Sequence, residues 1–511
     1  MRTKKAELNF IVNLAMLIVG LLPLFFLRKI FLDALGSEFL GLAALFTSLI
    51  GLLSLAELGI SSAIIYALYK PYAENDYEKV MGYVRYYTKF YQAVGIIIFI
   101  SGIALLPFFP LLIKGDIDIT DARLYFLLTL ASTVITYFFA AKFSLLIVAQ
   151  EGYRITIAQT VSVMLTALLQ MAALYLYESF FLFLIIQLMI NILYLLVLNV
   201  YIRKRFKWSL SKSGTIEKKE KRDLQKNIKA LFIHKIGEFA VFGTDNLLIS
   251  YYINIAAVGV YNSYYMVIGV ATKMVQTAFS GITASIGNLL VEGGKEKIFA
   301  VHKKLFFFSF WIVSFLVISM FNTIQQFVLL WLGDSQFLDT FTISLILLNV
   351  YITLLRASVE KFKEAGGLYH QDQYAAILEA VVNLGFSILL VQYFGLPGIF
   401  LGTLISNITV VFWIKPRIVY KYIFQEKLRV YFIMYFKYFG IALIALALTY
   451  LATLNLRVIV TLPAFLLNCL INLVLINIFY YIIFRNNVEF LYFKKLLMGK
   501  ISKWMPVGKS D

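Results

Sequence analysis

Long apolar runs, each closed by a short polar cluster, succeed one another along nearly the whole chain. A helix needs roughly 20 largely apolar residues to cross a bilayer core of about 30 Å. Fourteen such runs can be read, at approximately 8–27, 40–68, 90–112, 124–148, 155–177, 179–201, 230–254, 256–291, 305–330, 340–360, 374–394, 397–414, 430–452 and 457–484. The second and eighth are long enough to include a tilted or interfacial extension. The first carries Asn9 and Asn13, is too long for a signal peptide and lacks a small-residue cleavage site, so it is expected to remain as a span. No stretch shows the alternation of a membrane barrel strand. The expected fold class is an all-α integral membrane protein of about 14 transmembrane helices.

Composition agrees with that pattern. Of 511 residues 61% are hydrophobic and 14% charged, with a mean hydropathy of +0.84. Soluble domains run at about 45–50% apolar and about 25% charged, so a soluble enzyme is excluded first. The single cysteine, Cys469, has no partner for an intrachain disulfide, and three histidines cannot build a thiolate–imidazole metal site. No cofactor and no metal are expected. Forty-six Lys and Arg against 28 Asp and Glu give +18. In an apolar chain that excess belongs to cytoplasmic loops facing anionic lipid, not to a nucleic-acid surface.

The basic residues also predict orientation. With the N-terminus inside, the connections on the outer side hold only Arg28, Lys29, Lys114, Arg123 and Arg457. Lys142, Lys235, Lys273, Arg356 and Lys437 fall within spans, and the remaining bases are cytoplasmic. Both termini are expected in the cytoplasm of a multi-pass plasma-membrane protein.

The longest polar stretch, Arg203 to Lys229, carries eleven bases against Glu217, Glu220 and Asp223, and is expected as a basic cytoplasmic linker. Six spans precede it, so a second six-span half would start in the same orientation, related to the first by an axis along the membrane normal. Weak internal similarity agrees: Leu35 to Leu42 matches Ala257 to Val260, Ile60 to Ile64 matches Ile282 to Ile286, and Ala149 to Tyr153 matches Glu364 to Leu368. The expected organisation is a six-helix bundle at 1–202, the linker at 203–229 and a second bundle at 230–414. Two appended helices at 415–484 and a cytoplasmic tail at 485–511 complete it.

No outer connection exceeds about a dozen residues, which leaves no room for an external catalytic domain. No GxxxxGK[ST] phosphate loop is present either. A secondary transporter, not an enzyme, is the reading these features favour.

Ionised residues at mid-membrane cost about 2.5–3.5 kcal/mol each on insertion scales, so those present call for a reason. Lys235, Glu238 and Asp245 occupy one broad face of the seventh run, with Phe242 and His234 nearby. Arg356 and Glu360 are i, i+4 partners in the tenth, two turns after Asn349. Lys273, Gln276 and Ser280 share a face of the eighth; Glu379, Asn383 and Ser387 share one of the eleventh. Ser54, Glu57 and Ser61 lie in the second, and Lys142 in the fourth. Any single pair could be a structural ion pair. As a set drawn from both halves, they point to a hydrated cavity whose cations suit a phosphate-bearing substrate. Lys142, Lys235, Lys273, Arg356 and Arg28 are the candidate cations; Glu57, Glu238, Asp245, Glu360 and Glu379 are the candidate balancing or coupling acids. Arg28 and Lys29 would be exit-side phosphate contacts or plain interfacial anchors. Gly398 and Gly402 form a GxxxG, which signals close helix packing.

Several motifs carry a resemblance. Leu55 to Ile64 followed by Leu68-Tyr69-Lys70-Pro71, Thr244-Asp245-Asn246, Val258 to Tyr264, and Ser285 to Leu289 resemble segments of Wzx-type polysaccharide flippases of Gram-positive bacteria. Gly367-Leu368-Tyr369 with Asp372, Glu379, Asn383-Leu384 and Gly398 to Thr403 is similar again. The segment Gly367 to Asp372 lacks the Arg or Pro expected near the aspartate. The resemblance runs from about residue 8 to 414. It implies the multidrug/oligosaccharidyl-lipid/polysaccharide exporter superfamily, and two six-helix bundles in a V. It also implies transport of undecaprenyl-diphosphate-linked oligosaccharide by alternating access, alongside a polymerase and glycosyltransferases of the same pathway. The alternatives are a lipid II flippase, a multidrug extruder of the same superfamily, and a membrane polysaccharide polymerase or ligase. The last would need a large outer loop that the chain lacks.

Overall fold

The computed structural model describes residues 2–54, 60–211, 214–217, 220–222, 243–280 and 282–504. Every regular element among them is helical. The principal helices are α1 (Arg2–Leu53), α2 (Ile60–Ala73), α3 (Tyr77–Leu105), α4 (Ile119–Val148), α5 (Gly152–Tyr177), α6 (Phe180–Arg205), α7 (Asp245–Tyr252), α8 (Ile255–Ser280) and α9 (Thr283–Glu292). They continue with α10 (Lys295–Leu332), α11 (Thr340–Leu355), α12 (Ala357–Ala365), α13 (Tyr369–Phe394), α14 (Leu396–Ser406), α15 (Phe412–Val419), α16 (Leu428–Thr453), α17 (Leu462–Phe484) and α18 (Val488–Trp504).

Twelve of the described helical segments are long and apolar enough to cross a membrane. The count is lower than fourteen for two local reasons. The first run and the start of the second both fall in α1, where two helical stretches meet at a kink at Gly36, whose φ of 81° only glycine adopts without strain; the rest of the second run passes through undescribed residues into α2. Most of the seventh run lies outside the described residues.

The chain divides into two compact units, Met1–Asn262 and Ser263–Asp511, the division falling inside α8. In the first unit α3, α4 and α6 pack side by side, and α1 packs on α5. Phe46, Phe109 and Phe126 meet with ring centroids 5.2–6.0 Å apart, fixing α1 against α4. Gly41 and Gly259 let the backbones of α1 and α8 touch; a Cβ on Gly41 would enter the Ile255 carbonyl.

Part of the basic linker is folded onto this unit. Phe206 and Ile216 are buried. Trp208 stacks on Tyr77 at 4.3 Å, and Lys79 pairs with Glu220 at 2.6 Å. Gly214 sits where any side chain would collide with the Glu78 carbonyl.

In the second unit, α13 and α14 form the tightest pair. A Cβ on Gly398 or Gly402 would overlap the backbone of Leu390 or Ser387. Ser387 donates to the Ile399 carbonyl at 2.9 Å, and Asn383 to Thr403 at 2.9 Å. The GxxxG therefore works as expected.

The two C-terminal spans, α16 and α17, pack on α10 and share its core of Phe306, Phe310, Tyr438, Tyr480 and Phe484. A ladder of amides ties the three together. Asn322 donates to Thr449 (2.9 Å) and Asn472 (2.7 Å). Asn468 donates to the Asn322 carbonyl (2.9 Å) and Gln326 (3.1 Å), and Gln326 to the Leu456 and Ile459 carbonyls. Against lipid, helices gain nothing from apolar burial alone, so such bonds and close packing hold them.

Candidate functional site

Among the described residues of the second unit, charge gathers where α12, α13 and α15 meet. Helix α11 ends at Leu355, and Arg356 is the joint between it and α12. One turn later Glu360 accepts three cations: Arg356 Nε at 3.3 Å, Lys363 Nζ at 3.0 Å and Lys415 Nζ at 2.8 Å. Lys363 also pairs with Asp372, the first acid of α13. Two turns further along α13, Glu379 is buried, within electrostatic reach of Lys415 and Arg356. Three cations and three carboxylates thus balance in one partly enclosed cluster.

The sequence signal for this cluster was incomplete. Arg356 and Glu360 announce themselves by i, i+4 spacing. Lys363 and Lys415 read as loop bases, because each lies at the polar end of an apolar run. Only folding brings α12, α13 and α15 together. Helix α15 is flanked by two π-helical turns, Asn407–Val411 and Tyr420–Phe424, which shift the helical register on either side of Lys415. Such turns recur at functional sites. Arg356 keeps one capacity in hand: its Nη1 is buried with no hydrogen-bond partner among the described residues.

His302, a residue the sequence pattern did not single out, is buried beside this cluster. Its Nδ1 lies 2.9 Å from Ser358 Oγ, its Nε2 3.1 Å from the Tyr420 hydroxyl, and its ring stacks on Phe424 at 4.5 Å. It ties α10 to α12 and to the second π turn.

The other candidate cations are placed separately. Arg28 Nη2 donates to the Gly259 carbonyl at 3.1 Å, on the first turns of α8. Lys142 Nζ donates to Asn199 Oδ1 at 3.1 Å, between α4 and α6. Lys273 is exposed on α8, with no acidic partner among the described residues. Of the acids, Asp245 begins α7 and accepts from the Tyr261 hydroxyl at 3.3 Å; its Oδ1 is buried without a partner among the described residues. Glu57, Lys235 and Glu238 lie outside the described residues. The structure joins Arg356, Glu360 and Glu379, while Arg28, Lys142 and Asp245 each stand in the first unit with their own neighbours.

Two of the motif segments turn out to be polar joints. Asn246 donates to Ser48 at 2.9 Å and accepts from Asn262 at 2.8 Å, linking α1, α7 and α8. Ser263 donates to Gln336 at 2.8 Å, and Tyr264 to Gln325 at 3.0 Å.

No protein-family model matches the sequence, and no curated protein matches it. Solved structures do. A lipid II flippase, MurJ, in an inward closed conformation aligns over 94% of this chain and 99% of its own, with a TM-score of 0.69 and 16% identity. An inward-facing multidrug resistance MATE transporter of the MOP superfamily covers 80% of this chain and 98% of its own, with a TM-score of 0.61 and 16% identity. A MOP superfamily transporter from Pyrococcus furiosus, described by the reverse polarity of its binding pocket, covers 81% and 95% at a TM-score of 0.54 and 15% identity. The helical order, the long apolar spans and these likenesses give one conclusion: the chain has the fold of the MOP-superfamily transporters.

Proposed function

We propose that this protein is a secondary transporter that flips an undecaprenyl-diphosphate-linked oligosaccharide across the plasma membrane by alternating access, with both termini cytoplasmic. One observation carries the reading. The likeness to a lipid II flippase, whose substrate is lipid-linked, extends over 94% of this chain, against 80% for the multidrug transporter. The motif resemblance to Wzx-type flippases supports the same substrate class.

The chemistry is consistent. A diphosphate head group cannot enter about 30 Å of hydrocarbon unpaired, because desolvating its charge is too costly. Lys142, Lys235, Lys273 and Arg356, with Arg28 as an exit-side contact, are the cations expected to meet it, and Arg356 retains an unpartnered Nη1 suited to a phosphate oxygen. Glu57, Glu238, Asp245, Glu360 and Glu379 balance those cations in the empty transporter or carry a coupling ion. The polymerase and glycosyltransferases of the same pathway are its working partners.

The test is complementation of a flippase-null strain, with membrane abundance measured alongside. Arg356→Ala, Lys273→Ala and Lys142→Ala, alone and combined, should reduce surface polysaccharide at normal protein level. Normal polysaccharide from the normally expressed triple variant would refute the cationic mechanism. A lipid II substrate is the second reading, favoured by the same structural likeness. It predicts rescue of cells depleted of their lipid II flippase.

A further inference from the structure

On α3, beyond the charged first turn of Glu78 and Lys79, Arg85, Thr88, Lys89 and Gln92 fall at i, i+3, i+4 and i+7 on one polar face. Together with Lys142 of α4 and Arg203 at the end of α6, that face lines a cavity of about 530 Å³ at the linker end of the first unit. Ser209, just beyond α6, completes its polar rim. Four cations line this space, and no Asp or Glu is among its described lining residues. Two nearby acids are engaged elsewhere: Glu151 takes Arg154 and Arg205, and Glu220 takes Lys79. Arg85 also borders the adjoining groove of Asp76, Glu78, Glu217 and Glu220, so Lys89, Lys142 and Arg203 give the cavity its distinct character. Lys142 is held by Asn199, which uses one of the three donors of the ammonium.

Four like charges facing one hollow repel one another unless an anion sits among them. The surface leading away from the hollow decides which kind of anion. One helical step deeper along each wall come exposed apolar side chains: Ile96 and Phe99 after Gln92 on α3, Phe138 before Lys142 on α4, and Leu196 and Val200 before Arg203 on α6. The order is cations at the helix ends and bare hydrocarbon below, which matches an amphiphile with a phosphate head and acyl tails.

We propose that this cavity is a binding site for the phosphate head group of an anionic membrane lipid, Lys142 being the one base it shares with the transport cations proposed above. The site belongs to the first unit alone and needs no movement of the transporter to form. On the positive-inside reading it opens to the cytoplasmic leaflet, where anionic head groups meet basic side chains.

The experiment titrates purified full-length protein, in a non-ionic detergent, with phosphatidylglycerol, phosphatidylcholine or inorganic phosphate while its thermal unfolding midpoint is followed. Phosphatidylglycerol should raise the midpoint saturably and phosphatidylcholine should not. Lys89→Gln combined with Arg203→Gln should weaken the phosphatidylglycerol response roughly tenfold or more, since each base near an anionic head contributes about fivefold. Lys204→Gln, a base on α6 outside the cavity, should leave it unchanged. If inorganic phosphate alone gives the full response with the same dependence on Lys89 and Arg203, the site takes free phosphate and not lipid. An undiminished phosphatidylglycerol response in both the double variant and Lys142→Gln overturns the site, as does an equal response to phosphatidylcholine. Should the double variant fail to fold, Lys89→Gln and Arg203→Gln alone read the same titration. Because the readout is binding, it stands or falls independently of any transport assay.

Discussion

Lys415 Nζ lies 2.8 Å from Glu360 Oε1, closer than Arg356, the partner that sequence spacing supplies one turn away. Glu360 therefore joins α15 to α12, and its loss would leave three cations without their shared counter-charge. Removing one partner of a buried ion pair costs about 3–5 kcal/mol, because the remaining charge stays desolvated. Glu360→Ala should lower the melting temperature and membrane abundance, whereas Arg356→Ala, which leaves Glu360 paired with Lys363 and Lys415, should keep normal abundance. Equal melting of Glu360→Ala and wild type would show that the cluster does not hold these helices together.

The α13–α14 contact depends on two positions without side chains. Gly398→Leu places carbon against the Leu390 carbonyl, and overpacking of this kind costs about 1–3 kcal/mol or more. The variant should melt several degrees below wild type. Gly385 on α13 faces open space, so Gly385→Ala should melt at or above the wild-type temperature.

The amide ladder between α10, α16 and α17 should behave as a unit. Asn468 donates to two partners on α10 and accepts from Asn472, so Asn468→Leu breaks several bonds at once. At about 0.6–2 kcal/mol per interhelical bond in a membrane, its loss should exceed that of Thr449→Val. Chemical denaturation in detergent measures both, and a smaller effect for Asn468→Leu would contradict the ladder.

The linker clamp should open in acid. Lys79 holds the Glu220 carboxyl below the usual value of 4.5 by a hydrogen bond and by its charge. A depressed folded pKa contributes stability above the unfolded value, and that stability is lost as pH falls through the folded one. A spin label at position 222 should therefore stay immobile at neutral pH and loosen only below about pH 4.5, the ordinary glutamate range. Glu220→Gln should loosen it at every pH. A label whose mobility ignores both pH and that substitution would rule out the clamp.

Apolar run length determined much of this protein from its sequence. A bilayer accepts only chain segments whose backbone bonds are satisfied internally, so each run of sufficient length becomes a helix whatever its partners. The Gly398–Gly402 contact was equally legible, because small residues one turn apart leave a groove on any helix. Arg356 and Glu360 were visible as a pair for the same local reason.

What the tertiary structure decided is which distant groups share a neighbourhood. Lys415 and Lys363 carry no spacing signal that points to Glu360, and His302 none that points to Ser358 and Tyr420. The polar face Arg85-Thr88-Lys89-Gln92 reads as the end of a span until Lys142 and Arg203 close a cavity over it. The charge of the linker predicts only a basic cytoplasmic segment, yet Phe206, Trp208 and Ile216 anchor part of it to the first unit. Hydrophobicity is a property of each segment alone and is written along the chain. Coulomb attraction and hydrogen bonding act across a few ångströms of space, and only packing sets those distances.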